Sequence, residues 1–139
     1  MTVVYLLDTN TVSYIVRGRS IAARAKLAGL RASETGCISA ITEAEIRYGL
    51  AKSPAARALN VAIEAFLLKI RVLQWGSDEA CTYGELRAKM EASGKTLGNL
   101  DMLIAAHAIS LGAVLVTNDK AFSRIGDLRG IVNWATDLK

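Results

Sequence analysis

The residues best suited to chemistry in this sequence are four acidic side chains, Asp8, Glu45, Asp101 and Asp119. Carboxylates that lie close together repel one another and raise each other's pKa, and a divalent cation removes that cost. Ligand sets made only of oxygen favour hard cations such as Mg²⁺ and Mn²⁺. We therefore expect a metal site built from these acids, with Mg²⁺ as the cofactor and Mn²⁺ as an alternative.

A cation held in this way can lower the pKa of a bound water, orient a phosphate and neutralise charge at phosphorus. The predicted reaction is hydrolysis of a phosphodiester bond by an activated water. Zinc is disfavoured, because the only histidine, His107, and the two cysteines, Cys37 and Cys81, have no ligand spacing. His107 follows Asp101 by six residues in a helical pattern, which points it nearly the opposite way, so we interpret it as a packing or surface residue.

Each acid also has a structural interpretation. Asp8 could be a helix N-cap, and Glu45 could be the glutamate of a capping box that begins at Thr42. Asp101 could be a first-turn acid favoured by the helix dipole, and Asp119 could be a turn or cap residue. Capping does not explain why all four should lie together, and a carboxylate that caps a helix can still bind metal.

The pattern of apolar residues predicts the elements that position these acids. Buried strands are expected at 3–7, 36–39, 72–74, 113–117 and 130–133. Helices are expected at 9–16, 20–30, 42–51, 53–70, 77–93, 100–111 and 120–125, with Pro54 opening the fourth and Ser77 capping the fifth. This alternation predicts an α/β fold with a central parallel sheet of about five strands and helices on both faces.

In open sheets of this kind, ligands bind beyond the carboxyl ends of the strands. Asp8 follows the first strand and Asp119 follows the fourth, and the usual doubly wound order makes these strands neighbours. Asp101 starts the helix that leads into the fourth strand, so it should lie at the same edge. Glu45, in the first turn of the helix after the second strand, should reach that edge too.

Length and composition set broad limits. A chain of 139 residues with 52% hydrophobic residues favours a single domain over 1–139. Residues 1–7 are interpreted as a first strand and not as a signal peptide, and no apolar run is long enough to cross a bilayer, so we expect a cytoplasmic protein with no membrane partner. Two cysteines do not suffice for a disulfide framework.

The charge balance favours an anionic partner. The net charge is +4, and without the four candidate acids the remaining 17 basic and nine acidic side chains leave +8. An acidic site within a basic surface would attract a cation to the site and a polyanion to its surroundings. Arg17, Arg19 and Lys95 lie near predicted element ends on the same edge and are candidates for phosphate contacts.

Four segments, in order, resemble the motifs of PIN-domain nucleases. They are Leu6-Leu7-Asp8-Thr9-Asn10, Ser39-Ala40-Ile41-Thr42-Glu43-Ala44-Glu45-Ile46-Arg47-Tyr48-Gly49, Leu100-Asp101-Met102-Leu103-Ile104-Ala105-Ala106-His107-Ala108 and Leu115-Val116-Thr117-Asn118-Asp119. Their order and spacing, over nearly the whole chain, are similar to those of the VapC toxins of bacterial VapBC toxin–antitoxin systems.

The resemblance implies a Mg²⁺- or Mn²⁺-dependent endoribonuclease that cuts RNA, transfer RNA in many relatives, and so inhibits translation. It also implies a homodimer and a cognate VapB-type antitoxin that blocks the site. Asp8 and Asp101 would be the main metal ligands, Glu45 would complete the site, and Asp119 would assist. The motif register selects Glu45 over its neighbour Glu43. The residues that would support the site through hydrogen bonds are Asn10 and Thr117.

Three other functions fit the sequence less well. Asp8-Thr9-Asn10-Thr11-Val12 nearly matches the opening of haloacid-dehalogenase-like phosphohydrolases, whose first Asp is a nucleophile, but Asn10 replaces their second acid. A receiver-like signalling module would need an acid pair after the first strand and an Asp after the third, where this chain has Gln74. A non-catalytic partner-binding module on the same fold is disfavoured by the four intact acids.

Overall fold

A computed structural model describes residues 2–138, and within them the chain forms five β-strands, six α-helices and one 3₁₀ helix. The strands are β1 (Val3–Leu7), β2 (Glu34–Ser39), β3 (Arg71–Leu73), β4 (Val114–Val116) and β5 (Ile131–Val132). The helices are α1 (Thr9–Val16), α2 (Ile21–Ala28), α3 (Ala40–Lys52), α4 (Arg57–Lys69), α5 (Ser77–Ala92) and α6 (Asn99–Leu111), and the 3₁₀ helix spans Lys120–Arg124.

The strands form one parallel sheet in the order β3-β2-β1-β4-β5, which confirms the predicted fold class. In this sheet, Leu6 of β1 lies opposite Cys37 of β2 and Leu115 of β4. β1 and β4 are therefore neighbours, as predicted, and the residues that follow them meet at one edge of the sheet. We call this edge, beyond the carboxyl ends of β1, β2 and β4, the catalytic edge.

The sheet has a hydrophobic core on each face, because successive side chains of a strand point to opposite sides. Leu6 packs into one core with α5 and α6, and Leu7 packs into the other with α1 and α2. α6 is the most buried helix, and Ala105, Ala106 and Ala108 let it lie close to its neighbours. α6, which carries Asp101 in its first turn, is therefore firmly anchored.

Several helix starts differ from the sequence prediction. Ser39 caps α3 by accepting a hydrogen bond from the Ile41 N–H (3.0 Å), so α3 begins at Ala40, before the predicted Thr42. Glu45 therefore lies in the second turn, and the predicted first-turn capping box is wrong. α4 begins at Arg57 because Pro54 lies in a turn closed by the Ala56 N–H to Ser53 O bond (3.2 Å).

The start of α5 also differs from the sequence prediction. The N-cap of α5 is Gly76, whose N–H donates to Glu79 Oε2 (3.0 Å), so Ser77 is the first helical residue and not the cap. Across residues 2–138, none of the helices combines the length and the apolar character that a bilayer span requires.

Candidate metal-binding active site

Asp8 is fixed at the tip of β1 by hydrogen bonds to both carboxylate oxygens. Its Oδ1 accepts from the Thr11 N–H (2.8 Å), which makes it the N-cap of α1, and its Oδ2 accepts from the Thr117 hydroxyl (2.5 Å). Its own N–H donates to Val116 O (3.0 Å), so the strand pairing of β1 with β4 continues to this residue. With only 4% of its surface exposed, Asp8 has one orientation at the catalytic edge.

Burial raises the pKa of Asp8 above the usual aspartate value, because a buried carboxylate loses hydration. The hydrogen bonds from Thr117 and Thr11 act in the opposite direction and favour the ionised form. The negative charge of Asp119 raises the pKa further. Asp8 is thus a carboxylate held by donors in a place where a nearby positive charge would stabilise it.

Thr117 joins Asp8 to Asp119, which follows β4. The Thr117 hydroxyl donates to Asp8 and accepts from the Asp119 N–H (3.0 Å). Asp119 Oδ1 accepts from the Ala121 N–H (2.9 Å) and so caps the 3₁₀ helix. The capping interpretation of Asp119 is therefore correct at one oxygen.

Glu45 reaches the same edge from the second turn of α3. The Thr9 hydroxyl donates to Glu45 Oε1 (2.7 Å), and Thr9 Oγ1 lies 3.3 Å from Thr42 Oγ1. Thr9 is the first residue of α1, directly after Asp8, so this bond connects the tip of β1 to α3. Glu45 is partly buried, and its Oε2 faces no donor recorded within residues 2–138.

Asp101 lies in the first turn of α6, whose N-cap is Gly98. A Cβ atom at position 98 would lie 3.6 Å from Asp101 Oδ2, an ordinary contact distance, so the Asp101 side chain lies beside the N-cap of α6. Burial is the largest cause of a raised pKa at Asp101, and the charges of Asp119, Asp8 and Glu45 each raise it further. All four acids therefore converge closely enough for three of them to act on the fourth.

The donor set fits a hard divalent cation, although the carboxylates do not yet enclose one point. Within residues 2–138, no three histidine, cysteine, aspartate or glutamate side chains lie close enough together to hold an ion as they stand. The converging groups are all carboxylates, which suit Mg²⁺ or Mn²⁺. Their mutual repulsion, seen in the raised pKa of Asp101, is the cost that a bound cation removes.

Comparison with known proteins places this site in a family. The PIN domain matches residues 5–128 of the chain. Ribonuclease VapC2 of Rickettsia felis is 36% identical over 132 residues, which cover 94% of this chain and 98% of that protein. The tRNA(fMet)-specific endonuclease VapC of Shigella flexneri is 33% identical over 126 residues, which cover 90% of this chain and 94% of that protein. The chain belongs to the VapC ribonucleases of the PIN-domain family.

A solved structure supports the same assignment. The crystal structure of VapBC2 from Rickettsia felis bound to a promoter DNA fragment aligns with a TM-score of 0.87 and 35% identity, covering 94% of this chain and 98% of that chain. Membership in this family confirms the resemblance noted from the four motifs and sets aside the phosphohydrolase, receiver and non-catalytic alternatives. Nucleases of this family use a divalent metal.

The structure also locates the other residues named from sequence in this VapC-family chain. His107 is fully buried in α6, with Nδ1 2.9 Å from Ser39 Oγ, so it is a packing residue as predicted. Thr117 contacts Asp8 directly. Asn10 lies exposed in the first turn of α1, and its amide makes no hydrogen bond to the acids within the described range, so its supporting role stays a prediction.

Sequence reasoning missed the hydroxyls at the β1–α3 junction. Thr9 orients Glu45 and also lies beside the Thr42 hydroxyl, and Thr11 Oγ1 donates to Val116 O (3.2 Å). Thr9 and Thr11 belong to a short run of residue types that cap helices, Asp8-Thr9-Asn10-Thr11. This run indicated that hydroxyl groups would lie near the catalytic edge. Their partners could not be identified without the fold, because 36 residues separate Thr9 from Glu45.

A groove of about 280 Å³ opens from this site between α1, α3 and α4. Thr9 and Glu45 form its end at the acids, and Arg17 lines it from the end of α1. Most of its walls are apolar side chains of these helices. Of the four acids, Glu45 is the one that lines this groove, so the groove ends at one side of the site.

Proposed function

We propose that this chain is a metal-dependent endoribonuclease, contained in one domain over 1–139, that acts as the toxin of a toxin–antitoxin system. It hydrolyses RNA phosphodiester bonds with Mg²⁺, or with Mn²⁺ in its place, and so inhibits translation. The observation that supports this most strongly is the convergence of Asp8, Glu45 and Asp119 on Asp101, whose pKa is raised by burial and by the charges of these three acids. Membership in the VapC ribonucleases supports the reaction class.

The four acids have different roles in this proposal. Asp8 and Asp101 would hold the cation, Asp8 in a fixed orientation and Asp101 from the first turn of α6. Asp119 would add negative charge beside Asp8. A cation bound there polarises a phosphate and lowers the pKa of a bound water. Thr117 keeps one oxygen of Asp8 oriented, which limits the movement of the ligand.

Glu45 is the best candidate to handle a proton. The Thr9 hydroxyl occupies Oε1, which leaves Oε2 available to accept a proton from an attacking water. α3 brings this oxygen to the catalytic edge from the side opposite to Asp119. Asn10, which is exposed beside Asp8, would contact substrate or solvent at the same edge.

The substrate class and the partners follow from charge and from relatives. The net charge of +4, with four acids gathered at one site, leaves a basic surface that suits RNA. A relative is named as a tRNA(fMet)-specific endonuclease, and relatives crystallise with an antitoxin, some on DNA. We propose transfer RNA as a substrate, a VapB-type antitoxin as the inhibitor, and a homodimer as the toxin assembly.

Cleavage of RNA by the purified, antitoxin-free chain tests this function. We expect bulk tRNA and other structured RNAs to be cut with Mg²⁺ or Mn²⁺ and not with EDTA. Asp8→Asn and Asp101→Asn should each lower the cleavage rate by at least ~10²-fold, the scale of losing key electrostatic stabilisation. Asp78→Asn is the matched control, because Asp78 is an exposed acid in the first turn of α5.

Two results would contradict the proposal at different points. Absence of cleavage by the folded wild-type chain, across several structured RNAs and with both metals, would contradict the ribonuclease activity. Cleavage by the Asp8 and Asp101 variants at the wild-type rate would leave the activity standing and overturn the site.

A further inference from the structure

Two basic residues near the catalytic edge, Lys95 and Arg124, each bond to a backbone carbonyl of the other's segment. Lys95 Nζ donates to the carbonyl of Arg124 (3.4 Å), and Arg124 Nη1 donates to the carbonyl of Thr96 (3.2 Å). These two bonds join the loop before α6 to the end of the 3₁₀ helix. The backbone contacts thus position both charged groups on one small cleft of about 180 Å³.

The charges of this pair are not neutralised within the described part of the chain. The cations of the ion pairs found there are Arg47, Arg87 and Lys89. The one acid that lines the cleft, Asp127, is engaged by Lys89, whose Nζ lies 2.9 Å from its Oδ1. Like charges that line one cleft repel each other, and an anion bound in the cleft would offset that cost.

The cleft adjoins the acids through both of its segments. Lys95 precedes Asp101 by six residues, in the loop that leads into α6, and Arg124 ends the 3₁₀ helix that Asp119 caps. A 3₁₀ helix rises about 2 Å per residue, so the cations lie on the order of 10 Å from Asp119. An anion in the cleft would be near the reacting phosphate without being that phosphate.

From this geometry we propose that Lys95 and Arg124 form a binding site for a backbone phosphate of the RNA substrate, next to the one that is cut. The proposal rests on the ribonuclease activity. The cleft suits a phosphate because two exposed cations line it, whereas the acids repel any phosphate that no metal accompanies. The pair therefore sets the path of the RNA strand away from the acids, across the loop before α6.

Charge-removing variants test this site. Lys95→Gln and Arg124→Gln should each raise the KM for bulk tRNA about fivefold to tenfold with kcat within about twofold of wild type, since phosphate contacts contribute binding and not chemistry. The conservative variants Lys95→Arg and Arg124→Lys should stay close to wild type. Arg129→Gln is the matched control, because Arg129 Nη1 also donates to a carbonyl at 3.2 Å, that of Gly112 at the other end of α6.

A binding assay separates this proposal from the ribonuclease activity itself. Fluorescence anisotropy measures the binding of labelled bulk tRNA by the Asp101→Asn chain, with and without the two further substitutions Lys95→Gln and Arg124→Gln. This measurement does not depend on cleavage. The chain with the two further substitutions should show a weaker salt dependence of binding. Each lost contact should lower the slope of log K against log salt by about 0.7. An unchanged KM and salt slope in the Lys95 and Arg124 variants would overturn the proposal, and so would an equal effect of Arg129→Gln. A fall in kcat alone would also overturn it, because that result indicates a purely structural role.

Discussion

The two acids at the strand tips and the two on helices differ in how much of the fold depends on them. Asp8 and Asp119 each cap a helix, and both bond to Thr117. Glu45 has one hydrogen bond, from Thr9, and no hydrogen bond to the Asp101 carboxylate is found within residues 2–138. The strand-tip acids are part of the scaffold, and the helix acids are free for a ligand.

This difference shows how a charged site can be built into a stable chain. Strand-tip carboxylates obtain hydrogen-bond donors from the backbone, which offset part of their burial. Asp101 has no such compensation, so its raised pKa reflects burial and repulsion alone. Removing a strand-tip acid should therefore lower both the stability and the activity of the chain, whereas removing Asp101 should lower the activity without lowering the stability.

The largest expected effect is a difference in RNA cleavage between variants of two neighbouring acids on α3, Glu45 and Glu43. Glu45→Gln should lower RNA cleavage by about 10- to 100-fold, because it removes a candidate proton acceptor at the catalytic edge. Glu43→Gln is the control, since Glu43 pairs with Arg47 (3.3 Å) on the exposed side of α3. Single-turnover cleavage assays measure both, and equal losses would refute the choice of Glu45.

A smaller effect compares Asn with Ala at positions 8 and 101, where both replacements remove the charge. At position 8, Ala should be less stable than Asn by about 1 kcal/mol, because only Asn keeps an acceptor for the Thr11 N–H. At position 101, the Ala variant should be as stable as the Asn variant or more stable, by up to about 0.6 kcal/mol. Neither replacement removes a hydrogen bond, and Ala favours the helix. Urea unfolding measures the four variants, and the same order at both positions would remove the distinction between the two regions.

The smallest effect is a pH dependence of stability without metal. Folding raises the pKa of Asp101, so the folded chain binds that proton more tightly than the unfolded chain. Its contribution to stability is then lost as the pH rises from about 3.9 through the raised folded value. In EDTA, Asp101→Asn should melt above wild type at neutral pH, and the difference should shrink as the pH falls to about 3 and the wild-type Asp101 takes up its proton. A variant that melts below wild type at neutral pH would contradict this.

The sequence allowed the strands and the acids to be predicted because those signals are local. Buried parallel strands are apolar runs. Asp8 directly follows β1, Asp119 caps the 3₁₀ helix after β4, and Asp101 lies in the first turn of α6. The start of α3 was predicted two residues late, because Ser39 both ends β2 and caps the helix. The hydroxyl contacts were not predictable, since Thr117 and Asp8 are 109 residues apart and meet only when β1 pairs with β4.

Binding of Mn²⁺, followed by electron paramagnetic resonance, tests most directly whether these four acids form a metal site. We expect the wild-type chain to bind Mn²⁺, and Asp8→Asn and Asp101→Asn each to weaken binding by at least ~10-fold while remaining folded. Asp78→Asn should bind as wild type does. Undiminished Mn²⁺ binding by both the Asp8 and the Asp101 variants would contradict the account.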